Sequence, residues 1–124
     1  MSFQEVGTGF VRQYYQFFST NRAQLAGVYR PNSLMTWVGE QLQGGEAIMA
    51  RFATLGFDEA QFKPEDIDCH PSVSGGVLVV VNGEVLLKGE RHTLKFIDVF
   101  HLAQDGGQWY ISNQIFRILG GGGQ

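Results

Sequence analysis

Three long runs in the second half of the chain, Val77 to Leu87, Thr93 to Ala103 and Gln108 to Leu119, limit the fold more than any other feature. Turn residues bound them: Ser74-Gly75-Gly76, Lys88-Gly89-Glu90-Arg91 and Gln104-Asp105-Gly106-Gly107. Together they predict an antiparallel meander. Such a sheet alternates apolar and polar residues when one face is wet, and these strands do not. Leu94, Phe96, Phe100 and Leu102 lie on one side of their strand, with Ile97, Val99 and Ala103 on the other. In the last run Trp109, Ile111 and Ile115 oppose Tyr110, Phe116 and Ile118. Both faces of this sheet need cover.

The first half supplies cover for one. Ser2-Phe3-Gln4-Glu5 has the spacing of a capping box, and Phe3, Val6, Phe10, Tyr14, Phe17 and Phe18 recur at helical steps, which predicts a helix from about residue 3 to 19. Leu25, Val28 and Tyr29 place a shorter helix that ends at Arg30-Pro31-Asn32-Ser33. Leu34 to Val38 and Gln41 to Gln43 read as two short strands about a Gly39-Glu40 turn. A third helix, with Glu46 in its first turn and Ile48, Phe52 and Leu55 inward, closes at Gly56. Phe57 to Cys69 reads as a strand bent at Pro64. The expected class is α+β: one domain over 1–119 with three helices across one face of a strongly curved sheet, and a glycine-rich tail over 120–124. The other face calls for a partner, most simply a second copy of the chain.

Composition agrees. Of 124 residues, 44% are hydrophobic and only 17% charged, below the roughly 25% usual for soluble domains, while 13% are aromatic. That is more apolar side chain than a compact monomer of this size hides. A net charge of −3 without a basic run gives nucleic acid no electrostatic footprint. No apolar run reaches the roughly 18 residues of a membrane span. Cys69 has no second cysteine to pair with, and Met1 is not followed by a basic segment and apolar stretch, so a reducing compartment, cytosol or nucleus, is expected. Cys69 and His70 are adjacent, and His92 and His101 stand apart, so no metal site is expected. Gly7-x-Gly9 lies within a helix and predicts close packing, not a dinucleotide loop. No cofactor is implied.

Several segments resemble the nuclear transport factor 2 family: Gly9-Phe10-Val11-Arg12-Gln13-Tyr14-Tyr15-Gln16-Phe17-Phe18, Asn21-Arg22-Ala23-Gln24-Leu25, Thr36-Trp37-Val38-Gly39, Gln43-Gly44, Phe96-Ile97-Asp98-Val99-Phe100 and Asn113-Gln114-Ile115-Phe116-Arg117. The resemblance covers nearly the whole chain. It implies a cone-shaped α+β homodimer that imports the GDP-bound small GTPase Ran into the nucleus and is concentrated at nuclear pores. A hydrophobic cavity in that family accepts an aromatic side chain of Ran, and phenylalanine-rich nucleoporin repeats dock elsewhere. Carried over by position, Trp37 stands at the cavity rim with Leu55, Phe57, Leu94 and Phe116 on its apolar side. Because Trp37 flanks a turn, its ring is expected to be partly exposed. Phe3 takes the nucleoporin-binding place, and Ile97, Val99, Ile111 and Ile115 fall on the dimer face. The family's acidic residue after the rim tryptophan is Val38 here, and its acidic pair in the loop between long strands is replaced within Lys88-Gly89-Glu90-Arg91-His92. Glu40 and Glu90 are the nearest carboxylates that could take over the charge complementarity.

Two other readings belong to the same fold. Small relatives of the family pair as heterodimers with a messenger-RNA export receptor. Isomerases and dehydratases place an Asp, Tyr or His inside the cone, for which Tyr14, Tyr15, Asp98, His70 and His101 are the candidates here. The plainer role for Asp98 is a hydrogen-bonded polar residue at the interface or cavity edge.

Overall fold

The structure, a computed structural model, describes residues 2–55, 60–87 and 89–121. Helix α1 spans Phe3–Thr20 and starts as its sequence dictates. Ser2 Oγ accepts from the Glu5 backbone N–H at 3.1 Å, and the Ser2 N–H donates to Glu5 Oε1 at 3.2 Å. Its buried face runs through Gly7, Val11, Tyr14, Tyr15 and Phe18, while Phe3 is exposed and Phe10 and Phe17 flank the core. Gly7 lets the helix lie close against β3 and β4 of the sheet, since a Cβ there would collide with Cys69 Sγ and stand 2.9 Å from Val79. This is the close packing expected of that glycine.

A 3-10 helix over Arg22–Val28 follows, so the second helix is shorter than its spacing predicts and Tyr29 already begins strand β1 (Tyr29–Trp37). Arg30 precedes proline and is biased to extended backbone. Ser33 then fixes the segment, accepting from the Arg30 N–H at 2.8 Å and donating to the Ile111 carbonyl at 2.5 Å. Strand β2 (Glu40–Gln43) returns beside β1, and helix α2 covers Gly45–Ala53. The remaining strands are β3 (Ala60–Pro71), β4 (Val77–Leu87), β5 (Leu94–Asp105) and β6 (Gln108–Gly121), with a single 3-10 turn at Val73–Gly75 between β3 and β4.

The sheet order is β2-β1-β6-β5-β4-β3. All neighbours are antiparallel except β1 and β6, which pair in parallel, so the meander closes back onto the first strand. β3 is an edge strand, where Pro64 costs no ladder bond. Its register shifts between Pro64 and Asp66, opposite Gly83, which has no room for a Cβ against the Lys63 carbonyl. The bend expected at Pro64 is therefore present. β6 extends to Gly121, with Gly120 and Gly121 opposite Lys95 and Leu94, two residues into the segment expected as tail.

A second bulge corrects the face assignment of β6. The register shifts between His101 and Leu102, so Leu102 pairs with Ile111 while His101 pairs with Asn113. Ser112 is the extra residue, and it switches the parity. Ile111 consequently points inward and is fully buried, whereas Ile115 points outward and is 47% exposed. The inward face carries Phe96, Asp98, Phe100 and Leu102 of β5 and Ile111, Gln114 and Phe116 of β6. No helix among the described residues is long and apolar enough to cross a membrane.

Candidate functional site

Two sites share the inward face. The first is an apolar cavity of about 160 Å³. Trp37 and Phe116 pair across the parallel β1–β6 register and stack at 4.5 Å, with Phe18 stacked on Trp37 at 6.0 Å. Phe62 closes the opposite wall, edge-on to Phe18 at 5.3 Å. Ala60 and Val85 line the cavity further, and Val38, Leu55, Leu87 and Ile118 surround its mouth at the more exposed positions. Every described lining side chain is apolar. An apolar cavity of about 150 Å³ stays dry and accepts a benzene molecule, so this volume suits one phenyl ring.

The second is a sealed polar cluster. Asp98 is 1% exposed and Gln114 equally buried. Tyr15 Oη donates to Asp98 Oδ2 at 3.2 Å, and Gln114 Nε2 donates to Asp98 Oδ1 at 3.1 Å and to Tyr14 Oη at 3.2 Å. Tyr29 Oη donates to Gln114 Oε1 at 2.6 Å and lies 2.8 Å from Tyr14 Oη. Burial pushes the Asp98 carboxyl well above the usual carboxylate range, against the pull of its Gln114 and Tyr15 hydrogen bonds. Burial, reinforced by neighbouring groups of the cluster, also raises all three tyrosines. Among the described residues no buried side-chain polar atom lacks a partner. The cluster spends its donors and acceptors on itself.

The predicted residues divide accordingly. Trp37, Leu55 and Phe116 line the cavity. Trp37 is only 8% exposed, not the half-open rim ring its place beside a turn suggests, because Phe116 and Phe18 cover its faces. Leu94 shares the inward parity but stands at the end of β5 beside Val85 and is not a lining residue. Phe57 lies outside the described residues. Glu40 Oε1 is held by Arg51 Nε at 2.8 Å, and Glu90 is exposed with its N–H on the Leu87 carbonyl at 3.0 Å; both stand outside the lining. Phe3 is 42% exposed. Ile97, Val99 and Ile115 lie on the outer face, and Ile111 does not.

Asp98 lies in the core, away from both the cavity lining and the outer face. His70 is exposed, and His101 is tied to Ser72 Oγ at 2.9 Å and Ser112 Oγ at 3.3 Å. Among the described residues no three His, Cys, Asp or Glu side chains assemble into a metal-binding group. Sequence reasoning missed Phe62, Val85, Leu87 and Ile118 as cavity residues. The signal for Ile118 was available, since it stands two residues beyond Phe116 on the same strand face.

The outer face is apolar where its strands meet. Leu34 is 48% exposed and Leu78 38%, and the half-buried Val80, Ile97 and Val99 lie between Leu78 and the exposed Ile115.

Comparison with known proteins follows this geometry. Residues 6–118 match the family model described as the nuclear transport factor 2 domain. Nuclear transport factor 2B of Arabidopsis thaliana is 41% identical over 115 residues, 91% of each chain. Nuclear transport factor 2 of Saccharomyces cerevisiae is 36% identical over 95% of each. Among solved structures, nuclear transport factor 2 from Cryptosporidium parvum superposes with a TM-score of 0.89 at 41% identity, covering 94% of each chain. Solved structures at 22% identity or lower share the fold alone, and they include protein complexes as well as enzymes.

Proposed function

Since the chain belongs to the nuclear transport factor 2 family, we propose that it is a non-enzymatic import factor that carries the GDP-bound small GTPase Ran through nuclear pores. The cavity receives an aromatic side chain of Ran, and exposed rings such as Phe3 make brief contacts with phenylalanine-rich nucleoporin repeats. The protein moves between cytoplasm and nucleus and is concentrated at the pore. One observation carries this reading: among the described residues the cavity is lined only by apolar side chains, and it has the volume of a single aromatic ring. Such a socket gains affinity from the hydrophobic effect, and its described lining offers no group that could transfer a proton.

A homodimer is the second element of the proposal. Ile97, Val99 and Ile115, with Leu34 and Leu78, form an apolar outer face that fits a second copy by an isologous contact. Light scattering checks this: a stable homodimer agrees, whereas a monomeric or aggregating chain rescued by a larger receptor supports the export heterodimer.

The transport reading is tested by measuring binding of the purified chain to Ran loaded with GDP and with GTP. Selective binding of the GDP form is expected. Equal binding to both, or binding to neither, contradicts it.

A further inference from the structure

Among the described residues Phe62 alone lines both the apolar cavity and a second hollow, a surface groove of about 370 Å³ between α1 and the edge strand β3. The groove's apolar residues, Tyr15, Phe62 and Pro64, are buried or half-buried, and Arg12, Gln16 and Gln61 stand exposed along it. A single ring therefore separates the two hollows. That ring is also the loosest of its cluster. Phe62 packs against Tyr15, Phe18, Phe96 and Phe116 at centroid distances of 4.7 to 6.3 Å. Those four are at most 4% exposed, whereas Phe62 is half-buried. Its neighbours on the groove side are fixed: Tyr15 Oη is held by Asp98 at 3.2 Å, and Ser19 Oγ donates to the Ala60 carbonyl, which fastens α1 to β3. Phe62 itself stands on an edge strand two residues before the Pro64 bend, so no neighbouring strand confines it on that side.

We propose that Phe62 is a gate: by turning from the cavity into the groove it enlarges the socket to admit a two-ring aromatic anchor, an indole, where the closed socket holds one phenyl ring. This rests on the reading of the cavity as a socket for an aromatic side chain. The turn is a change between staggered rotamers, and the groove exceeds the volume that holds a benzene molecule. In turning, Phe62 gives up its edge contacts with Phe18 and Phe96 but stays beside Tyr15, which lines the groove. An indole in the cavity takes the vacated place and restores ring contacts with Phe18 and Phe96. The larger anchor thus binds the open arrangement better than the closed one, and that difference is what shifts the gate.

The test titrates benzene and indole into the full chain by NMR, with a fluorine label on the Phe62 ring, for the native protein and for Gln16→Trp, which fills the groove from an exposed helical position. The native protein is expected to bind both, and indole alone to move the Phe62 fluorine resonance to that of a solvent-facing ring. Gln16→Trp should keep benzene and weaken indole at least about tenfold. Phe62→Leu removes the gate, so in that background Gln16→Trp should no longer affect indole. Indole bound with the fluorine resonance unmoved, or bound as tightly by Gln16→Trp, overturns the gate and leaves the socket standing. A native protein that takes benzene and excludes indole does the same. If neither compound binds the native protein, the socket reading falls and the gate falls with it.

Discussion

The cavity and the polar cluster are neighbours on one sheet face, yet they are opposite kinds of site. On β6, Gln114 belongs to the cluster and Phe116, two residues on, belongs to the cavity. On β5, Asp98 pairs with Phe116 across the same boundary. Among the described residues, the titratable groups of the cluster are sealed and satisfied by one another, whereas the side chains that line the cavity are rings and aliphatic chains. A proton-transfer enzyme needs the reverse, a titratable group within reach of its substrate. The fold thus separates what specifies its interior from what it offers to a partner.

Replacing Gln114 with Leu strikes the cluster hardest. It removes the acceptor of Tyr29 Oη, which leaves Tyr14 and Tyr29 one acceptor short between them, and it removes the donor shared by Tyr14 and Asp98, so a loss of about 3 kcal/mol or more is expected in urea denaturation. A loss below about 1 kcal/mol would mean that water reaches the cluster, and the contrast between the two sites would collapse. On the outer face, Ile115→Asp forces a carboxylate into the proposed dimer contact and should weaken association by more than about tenfold, read by sedimentation.

Asp98→Asn sharpens the comparison through pH. Burial places the Asp98 carboxyl above its unfolded value of about 3.9, so the folded state holds the proton more tightly than the unfolded state does. The corresponding stability is fully present below about pH 4 and is lost as pH rises from there toward the folded-state value. Asp98→Asn keeps an acceptor for Gln114 and carries no ionisable proton. It should therefore flatten this decline and raise Tm at neutral pH. The smallest effect is expected at Glu40→Gln. Its exposed ion pair with Arg51 contributes no more than about 1 kcal/mol.

Much of this was legible in the residues. The capping box, the Gly7 close approach, the bend at Pro64 and the order of elements follow from local spacing. The family resemblance pointed, position by position, to Trp37, Leu55 and Phe116. Where the reading failed, the cause was non-local. One extra residue at Ser112 reversed the face of Ile111, and a bulge of that kind leaves no mark in apolar periodicity. Trp37 looked exposed because it adjoins a turn, but its cover comes from Phe116, seventy-nine positions away along the chain, and only the parallel β1–β6 pairing brings them together. Tyr29 and Gln114 were missed for the same reason. Each is unremarkable in sequence and finds its partner across the core.

The burial of Trp37 also changes which variant tests the socket. Trp37→Ala would open the core as well as the cavity. Ile118 is half-buried at the mouth, and Ile118→Phe fills the space with the protein's own ring. The most direct measurement is the affinity of GDP-bound Ran for Ile118→Phe beside Asp98→Asn, with Tm recorded for both. A filled socket should weaken binding at least about thirtyfold at unchanged or higher Tm, the scale of a lost hot spot, while Asp98→Asn binds as the native chain does. Native affinity in Ile118→Phe, or lost affinity in a stably folded Asp98→Asn, would contradict an apolar socket for an aromatic anchor.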